Sequence, residues 1–113
     1  MSEDSESRTK AIRHLNDRFR QTFAGGRIVV TAGVRALGAR RLPGLLSKVR
    51  KFDAFDQDND PRHEHDFGVF VDDWDRFFWK IDYYDPSMTY HSDDASDANK
   101  TIRVLTLMLA EEY

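Results

Sequence analysis

The sequence predicts a single α+β domain, a small mainly antiparallel sheet packed against about three helices in the order α-β-α-β-β-α. Three observations carry this. Apolar residues recur at spacings of three and four in two separate segments, a β-rich run follows the first of them, and two aromatic-rich runs stand on either side of a short polar turn. At 113 residues the chain is long enough for one core and too short for two.

Residues 1–8 are polar and are expected to form a flexible N-terminus, leaving 9–113 as the domain. Ile12, Leu15, Phe19 and Phe23 then form one face of an amphipathic helix, which Gly25-Gly26 terminates. RIVVTAGV (27–34) reads as a strand with Ile28, Val30 and Ala32 on one side. Pro43 suits the start of a second helix, whose stripe is Leu42, Leu45, Leu46, Val49 and Phe52. An acidic stretch, DQDNDPRHEHDFG (56–68), leads into FGVFVDD and RFFWKIDYYD, which read as a β-hairpin. The closing run TIRVLTLMLAEEY has apolar residues on most sides and reads as a largely buried helix. A strand is the alternative, because Thr, Ile and Val favour one.

No apolar run approaches the roughly 18 residues of a membrane span, and the N-terminus lacks the pattern of a secretory signal. The absence of cysteine excludes disulfides, thiolate metal sites and a cysteine nucleophile, and fits a reducing cytoplasm. The net charge of −3 conceals a segregation. Residues 1–51 carry 12 Lys+Arg against 4 Asp+Glu, and residues 52–113 carry 5 against 16, so the parts stand at +8 and −11. Either the halves neutralise each other in the fold, or each meets a partner of opposite charge, a protein, a second copy or nucleic acid. The basic helix faces, with Arg13, Arg20, Arg41, Lys48 and Lys51, are the candidate binding surface.

The hairpin's register bears on the acidic residues. A three-residue turn at 73–75 pairs Val71 with Phe77, Val69 with Trp79 and Phe67 with Ile81, giving a wholly apolar face. The register that pairs Val71 with Arg76 and Phe67 with Lys80 mixes charge into it, so burial favours the first. That register sets Asp66 directly opposite Asp82, a like-charge confrontation that needs compensation. A divalent cation could bridge the carboxylates, Lys80 could pair with one, or one could keep its proton through a raised pKa. The metal-ligand candidates are therefore Asp66, Asp82, His65 and Glu64, and His65 and Lys80 are the catalytic candidates. His63 and His65 share a side if their segment is extended, as chelating His-x-His pairs do. Beyond a divalent cation, no cofactor is implied.

Several motifs fail at their specific positions. Asp56, Asp58 and Asp60 alternate as in an EF-hand, but Pro61 replaces the turn glycine and Phe67 the bidentate glutamate. Lys80-Ile81-Asp82 reverses the acid-x-lysine order of one nuclease class. There is no phosphate-binding glycine loop, and no serine in a nucleophile context. Asp56 to Asp60 therefore read as a solvated loop, and Phe67, Phe77, Trp79 and Ile81 as core.

NDPRHEHDFG, FFWKIDYYD and RVLTLMLAEEY resemble the signature stretches of a family of small uncharacterised alphaproteobacterial proteins, a domain of unknown function often borne on plasmids or mobile elements. The resemblance runs from about Ile12 to Tyr113 and takes in TAGV and KFDAF. It transfers no catalytic role. Its setting implies an accessory role, such as modulating host defence or plasmid maintenance. Where the family tends to carry Tyr-Gly this chain has Arg62-His63, which disfavours His63 as a ligand and leaves Glu64, His65 and Asp66. Two functions follow: a binding module for a protein partner, or a metal-assisted hydrolase acting on phosphodiesters.

Overall fold

The computed structural model describes residues 3–113. Helix α1 spans Glu3–Thr22, strand β1 Gly26–Val30, helix α2 Ala32–Arg35, helix α3 Leu42–Arg50, and strands β2, β3 and β4 span Phe67–Asp72, Asp75–Tyr84 and Ile102–Leu109. Short 3-10 turns sit at Ala98–Lys100 and Ala110–Glu112. The four strands make one sheet in the order β1-β4-β3-β2, with β1 parallel to β4 and the other pairs antiparallel. This is the expected α+β class.

The elements differ from expectation in four places, each for a physical reason. Residues 3–8, expected to be flexible, extend α1, while Met1 and Ser2 lie outside the described residues. The first strand stops at Val30, because Thr31 caps a short helix by accepting a hydrogen bond from the Val34 amide at 3.4 Å.

The C-terminal run is the strand β4, not a helix. It lies between β1 and β3, and Arg103, Val104, Leu105, Leu107 and Met108 are buried on its two faces. A strand covered on both sides loses the alternation that would identify it, and its apolar run then mimics a buried helix.

The hairpin adopts the register that the burial argument disfavoured. Phe67 pairs with Lys80, Val69 with Phe78 and Val71 with Arg76, around the two-residue loop Asp73-Trp74. The core face of β3 is Phe77, Trp79, Ile81 and Tyr83, and its partners on β2 are Phe70 opposite Phe77 and Gly68 opposite Trp79. Gly68 is the reason. A Cβ there would lie 2.3 Å from Trp79 Nε1 and 2.8 Å from the Phe52 ring, so the indole fills the space a side chain would take. The missing side chain hides the pairing from any count of apolar partners.

The main core cluster lies on one side of the sheet. Ile12 and Phe19 of α1, Leu45 and Val49 of α3, and Phe52 pack on Phe77, Trp79, Ile81, Leu105 and Leu107. Gly26 allows α1 to approach β1 and β4 closely, since a Cβ would meet the Arg103 carbonyl at 2.5 Å and the Phe19 ring at 2.7 Å. Fully burying a side chain of the Val, Leu or Phe kind stabilises by roughly 1.5–3 kcal/mol, so this layer supplies the main driving force. Gly68→Ala is expected to lower the unfolding free energy by more than about 2 kcal/mol in chemical denaturation, because it overpacks the one gap that Trp79 occupies.

Candidate functional site

Of the residues singled out in the sequence, Glu64 and His65 are gathered against one side of α1, whereas Asp66, Lys80 and Asp82 are not. The inward face of that helix is not only apolar: Asn16 and Arg20 are buried at 0% and 2% exposure. Arg20 donates to the Val49 and Arg50 carbonyls at 3.1 and 3.0 Å, satisfying the C-terminal end of α3, and pairs with Asp17 at 3.2 Å. Its guanidinium lies 5.4 Å from the ring centroids of both Phe55 and Trp79. Asn16 donates to the Tyr83 hydroxyl at 2.7 Å and to the Glu64 carbonyl at 3.0 Å, and accepts from Arg103 Nε at 2.7 Å. Arg13 donates to the His63 carbonyl at 3.0 Å. Positions 13, 16, 17 and 20 share one helix face, and all four hold other segments in place.

The acidic loop is folded back on itself. The Asp56 carboxylate accepts from the Asp58 and Asn59 amides, both at 2.9 Å, which is a local turn and not an ion-binding loop. Asp56 and Asp58 are exposed as expected of a solvated run, but Asp60 is buried at 3%. Its carboxylate accepts from the His65 amide at 3.0 Å. His63 and His65 both have positive φ, 60° and 55°, so the segment is not extended and the two rings do not form a chelating pair.

His65 is held by one ring nitrogen and by its ring face. Nδ1 is 2.8 Å from Asp17 Oδ1 and Nε2 is 3.6 Å from Asp60 Oδ2, while the ring stacks on Phe55 with centroids 3.8 Å apart. Nδ1 is thus taken by Asp17, while Nε2 faces the Asp60 carboxylate beyond hydrogen-bond distance. Glu64 accepts from the Tyr83 hydroxyl at 2.9 Å. Burial pushes the Tyr83 pKa well above the ordinary phenol value, so this hydroxyl stays a donor. Burial pushes the Arg103 pKa down, and the cation lies 5.2 Å over the Tyr83 ring with Glu64 beyond it.

The Asp66–Asp82 confrontation does not occur. Asp66 precedes β2, and its carbonyl accepts from the Ile81 amide at 2.8 Å, so Ile81 faces it. Each carboxylate has its own cation: Asp66 pairs with Arg62 at 3.2 Å and Asp82 with Lys80 at 2.9 Å. Burial raises the Asp66 pKa above the usual carboxylate range, and the Arg62 charge opposes that rise. Asp82 raises the Lys80 pKa. Asp66, Lys80 and Asp82 do line one open cavity of about 460 Å³, together with Arg62, His91 and Tyr113. His65 and Glu64 point elsewhere. Among the described residues, no three His, Asp or Glu side chains are placed to hold a metal ion.

The charge segregation is partly consumed within the fold. Arg41 pairs with Asp72 at 3.1 Å and with Asp75 at 2.7 Å, Lys48 with Asp72 at 2.8 Å, and Arg8 with Asp94 at 3.3 Å, each joining the basic part to the acidic part. Lys48 and Arg41 hold the Asp72 carboxyl below the usual range. Of the five basic residues expected to form a binding surface, Arg20, Arg41 and Lys48 are thus engaged in carboxylate pairs, Arg13 holds the loop, and Lys51 is exposed.

Trp74 belongs to no motif in the sequence. It sits at the tip of the β2–β3 hairpin with 95% of its surface exposed, in the loop Asp73-Trp74, where φ is 48° and 71°. Two positive φ values are what a type I′ turn demands, and glycine is the usual second residue. Arg41 and Lys48 tie down the carboxylates on either side, so the tip is fixed. An unfavourable backbone angle at an exposed aromatic is a signal that composition cannot give.

The fold and these sites define a small α+β protein with helices on one sheet face, a structurally engaged acidic loop and a rigid aromatic hairpin tip. Residues 30–112 match the family described as Protein of unknown function (DUF3768), and the chain belongs to that family. No match was found among curated proteins or among solved structures.

Because the folded state binds the Asp66 proton more tightly than the unfolded chain, protonated Asp66 favours folding. That contribution is complete below the ordinary carboxylate value and is lost as pH rises through the raised one. Between about pH 4 and about pH 7, the wild type is therefore expected to lose stability relative to Asp66→Asn as pH rises. Chemical denaturation of both proteins across that range checks the sign.

Proposed function

We propose that this protein is a small accessory binding module that grips a protein partner through the Trp74 tip of the β2–β3 hairpin. The observation that carries this reading is the tip itself: a nearly fully exposed tryptophan in a left-handed turn position. Such a conformation costs a non-glycine residue about 1 kcal/mol or more, and an exposed ring returns nothing to the fold of the isolated chain. Tryptophan in a rigid, ordered setting is a typical anchor of protein interfaces. Asp73 beside Trp74, unlike Asp72 and Asp75, is in no ion pair among the described residues and suits a partner pocket with a basic rim. The resemblance to plasmid-borne alphaproteobacterial proteins supports a cytoplasmic role in modulating host defence or plasmid maintenance.

Metal-assisted phosphodiester hydrolysis is the competing reading, and the cavity shared by Asp66, Lys80 and Asp82 is what favours it. Against it stand the separate cations of the two carboxylates and the engagement of His65 Nδ1 by Asp17. Calorimetric titration with Mg²⁺, Mn²⁺ and Zn²⁺ is expected to show no saturable binding that Asp66→Asn with Asp82→Asn abolishes. Saturable binding lost in that double variant would favour the hydrolase.

Trp74→Gly separates the two roles of the tip. It is expected to raise the unfolding free energy by about 1 kcal/mol, by relieving the left-handed strain, and to abolish salt-sensitive co-purification of the partner from the native host. Equal recovery of that partner by wild type and variant would refute the assignment.

A further inference from the structure

The two edges of the sheet differ. Strand β1 carries Arg27 within its five residues, whereas β2 runs from Phe67 to Val71 as FGVFV, with neither the charge nor the proline that usually blunts a sheet edge. The ladder shows which backbone groups of β2 are free. The Ile81 amide donates to the Asp66 carbonyl at 2.8 Å, so residues 66 and 81 face each other as a hydrogen-bonded pair. Alternation along an antiparallel ladder then makes Gly68 with Trp79, Phe70 with Phe77 and Asp72 with Asp75 the bonded pairs. Phe67, Val69 and Val71 therefore turn their amides and carbonyls away from β3, beyond the edge of the sheet.

Among the described residues, the Val71 carbonyl alone of these outward groups has a hydrogen-bond partner, Lys48 Nζ at 3.4 Å, and Lys48 is held more closely by Asp72 at 2.8 Å. The Val71 side chain is 60% exposed, so this end of the strand is open. An edge of this kind is a template for another strand.

The strand carries its own complement. An antiparallel copy centred on Val69 sets Val69 against itself, Phe67 against Val71 and Gly68 against Phe70, so that every outward amide meets an outward carbonyl. On one face, the row of Phe78 and Val69 continues into Val69 and Phe78 of the copy, and the exposed Val71 is covered by Phe67. On the other face, Phe70 lies across from Gly68, which has no side chain of its own, and this occurs twice about the two-fold axis; an aromatic ring in that place rescues an edge glycine. Moving the register by two residues sets Phe70 against itself or against Asp66, and the match is lost. We infer that β2 pairs antiparallel with β2 of a second copy about a two-fold axis at Val69, making one sheet through both chains. Asp72 and Asp66 of the copy stand at the ends of this pairing, each with its own cation, Lys48 and Arg62. The Trp74 tip lies beyond the paired residues, so the edge does not depend on the role given to it.

Sedimentation velocity of the full chain over a rising concentration series is expected to show a monomer–dimer equilibrium, a weak one because a single strand pairing buries little area. Hydrogen exchange reads the register: the amides of Phe67, Val69 and Val71 should exchange fast in the monomer and slow down as the dimer forms, while those of Gly68 and Phe70 are protected throughout. Val69→Pro removes an outward amide and no ladder bond, and should keep the circular dichroism of the wild type while losing the dimer. Val71→Lys charges the exposed end of the edge and should weaken association about tenfold or more, and Trp74→Gly should leave it unchanged. If the proline variant unfolds, Val71→Lys and the exchange pattern of the wild type still decide. The inference is overturned by a monomer at every concentration, by a dimer that Val71→Lys leaves intact, by a dimer in which residues 67, 69 and 71 stay unprotected, or by a dimer that Trp74→Gly disperses.

Discussion

The structure depends on a polar seam along α1. Asn16, Asp17 and Arg20 reach the sheet, the acidic loop and the end of α3 from a single helix face. Burying a guanidinium costs several kcal/mol unless its donors are met. Here the last carbonyls of α3, the Asp17 carboxylate and two aromatic rings surround it. Arg20 Nε is left without a hydrogen-bond partner, so the compensation is incomplete at one atom. Deleting any one of these groups would strand the others, because an unsatisfied buried partner costs about 1–3 kcal/mol and more when charged. The seam therefore fixes where α1 and α3 lie, and with them the depth of the core.

Through the same seam, the residues that look most reactive in the sequence become structural. His65 is clamped between Asp17 and Asp60 and stacked on Phe55, Glu64 takes the Tyr83 proton donor, and Asp60 is enclosed. What is left for function is a feature that the fold does not need, an aromatic turn tip. Strain at Trp74 is a cost that nothing inside the chain offsets.

The fold class was legible because α1, α3 and the hairpin keep clean periodicities. The strand β4 was not, since burial on both faces erased its alternation. The register was misread at Gly68, where the contact is made by Trp79 filling a void, and a void has no residue type. Asp66, Lys80 and Asp82 share a cavity, though not through the cross-strand pairing the sequence suggests, and Arg62 and Lys80 neutralise the carboxylates separately. That Asn16 and Arg20 are buried could not be inferred from a helix stripe read by hydrophobicity alone, because their burial depends on carbonyls and carboxylates brought in from distant segments. Trp74 was hidden because a hairpin turn is recognised by its glycine, and here tryptophan holds that place.

Hydrogen exchange on Asn16→Ala, compared with wild type, tests the seam most directly. The seam predicts that amide protection collapses at 60–66 and at the start of β4, where Asn16 holds Glu64 and Arg103, and persists at the β2–β3 hairpin tip. Unchanged protection at 60–66 would show that the loop is held by something other than α1, and would contradict the account.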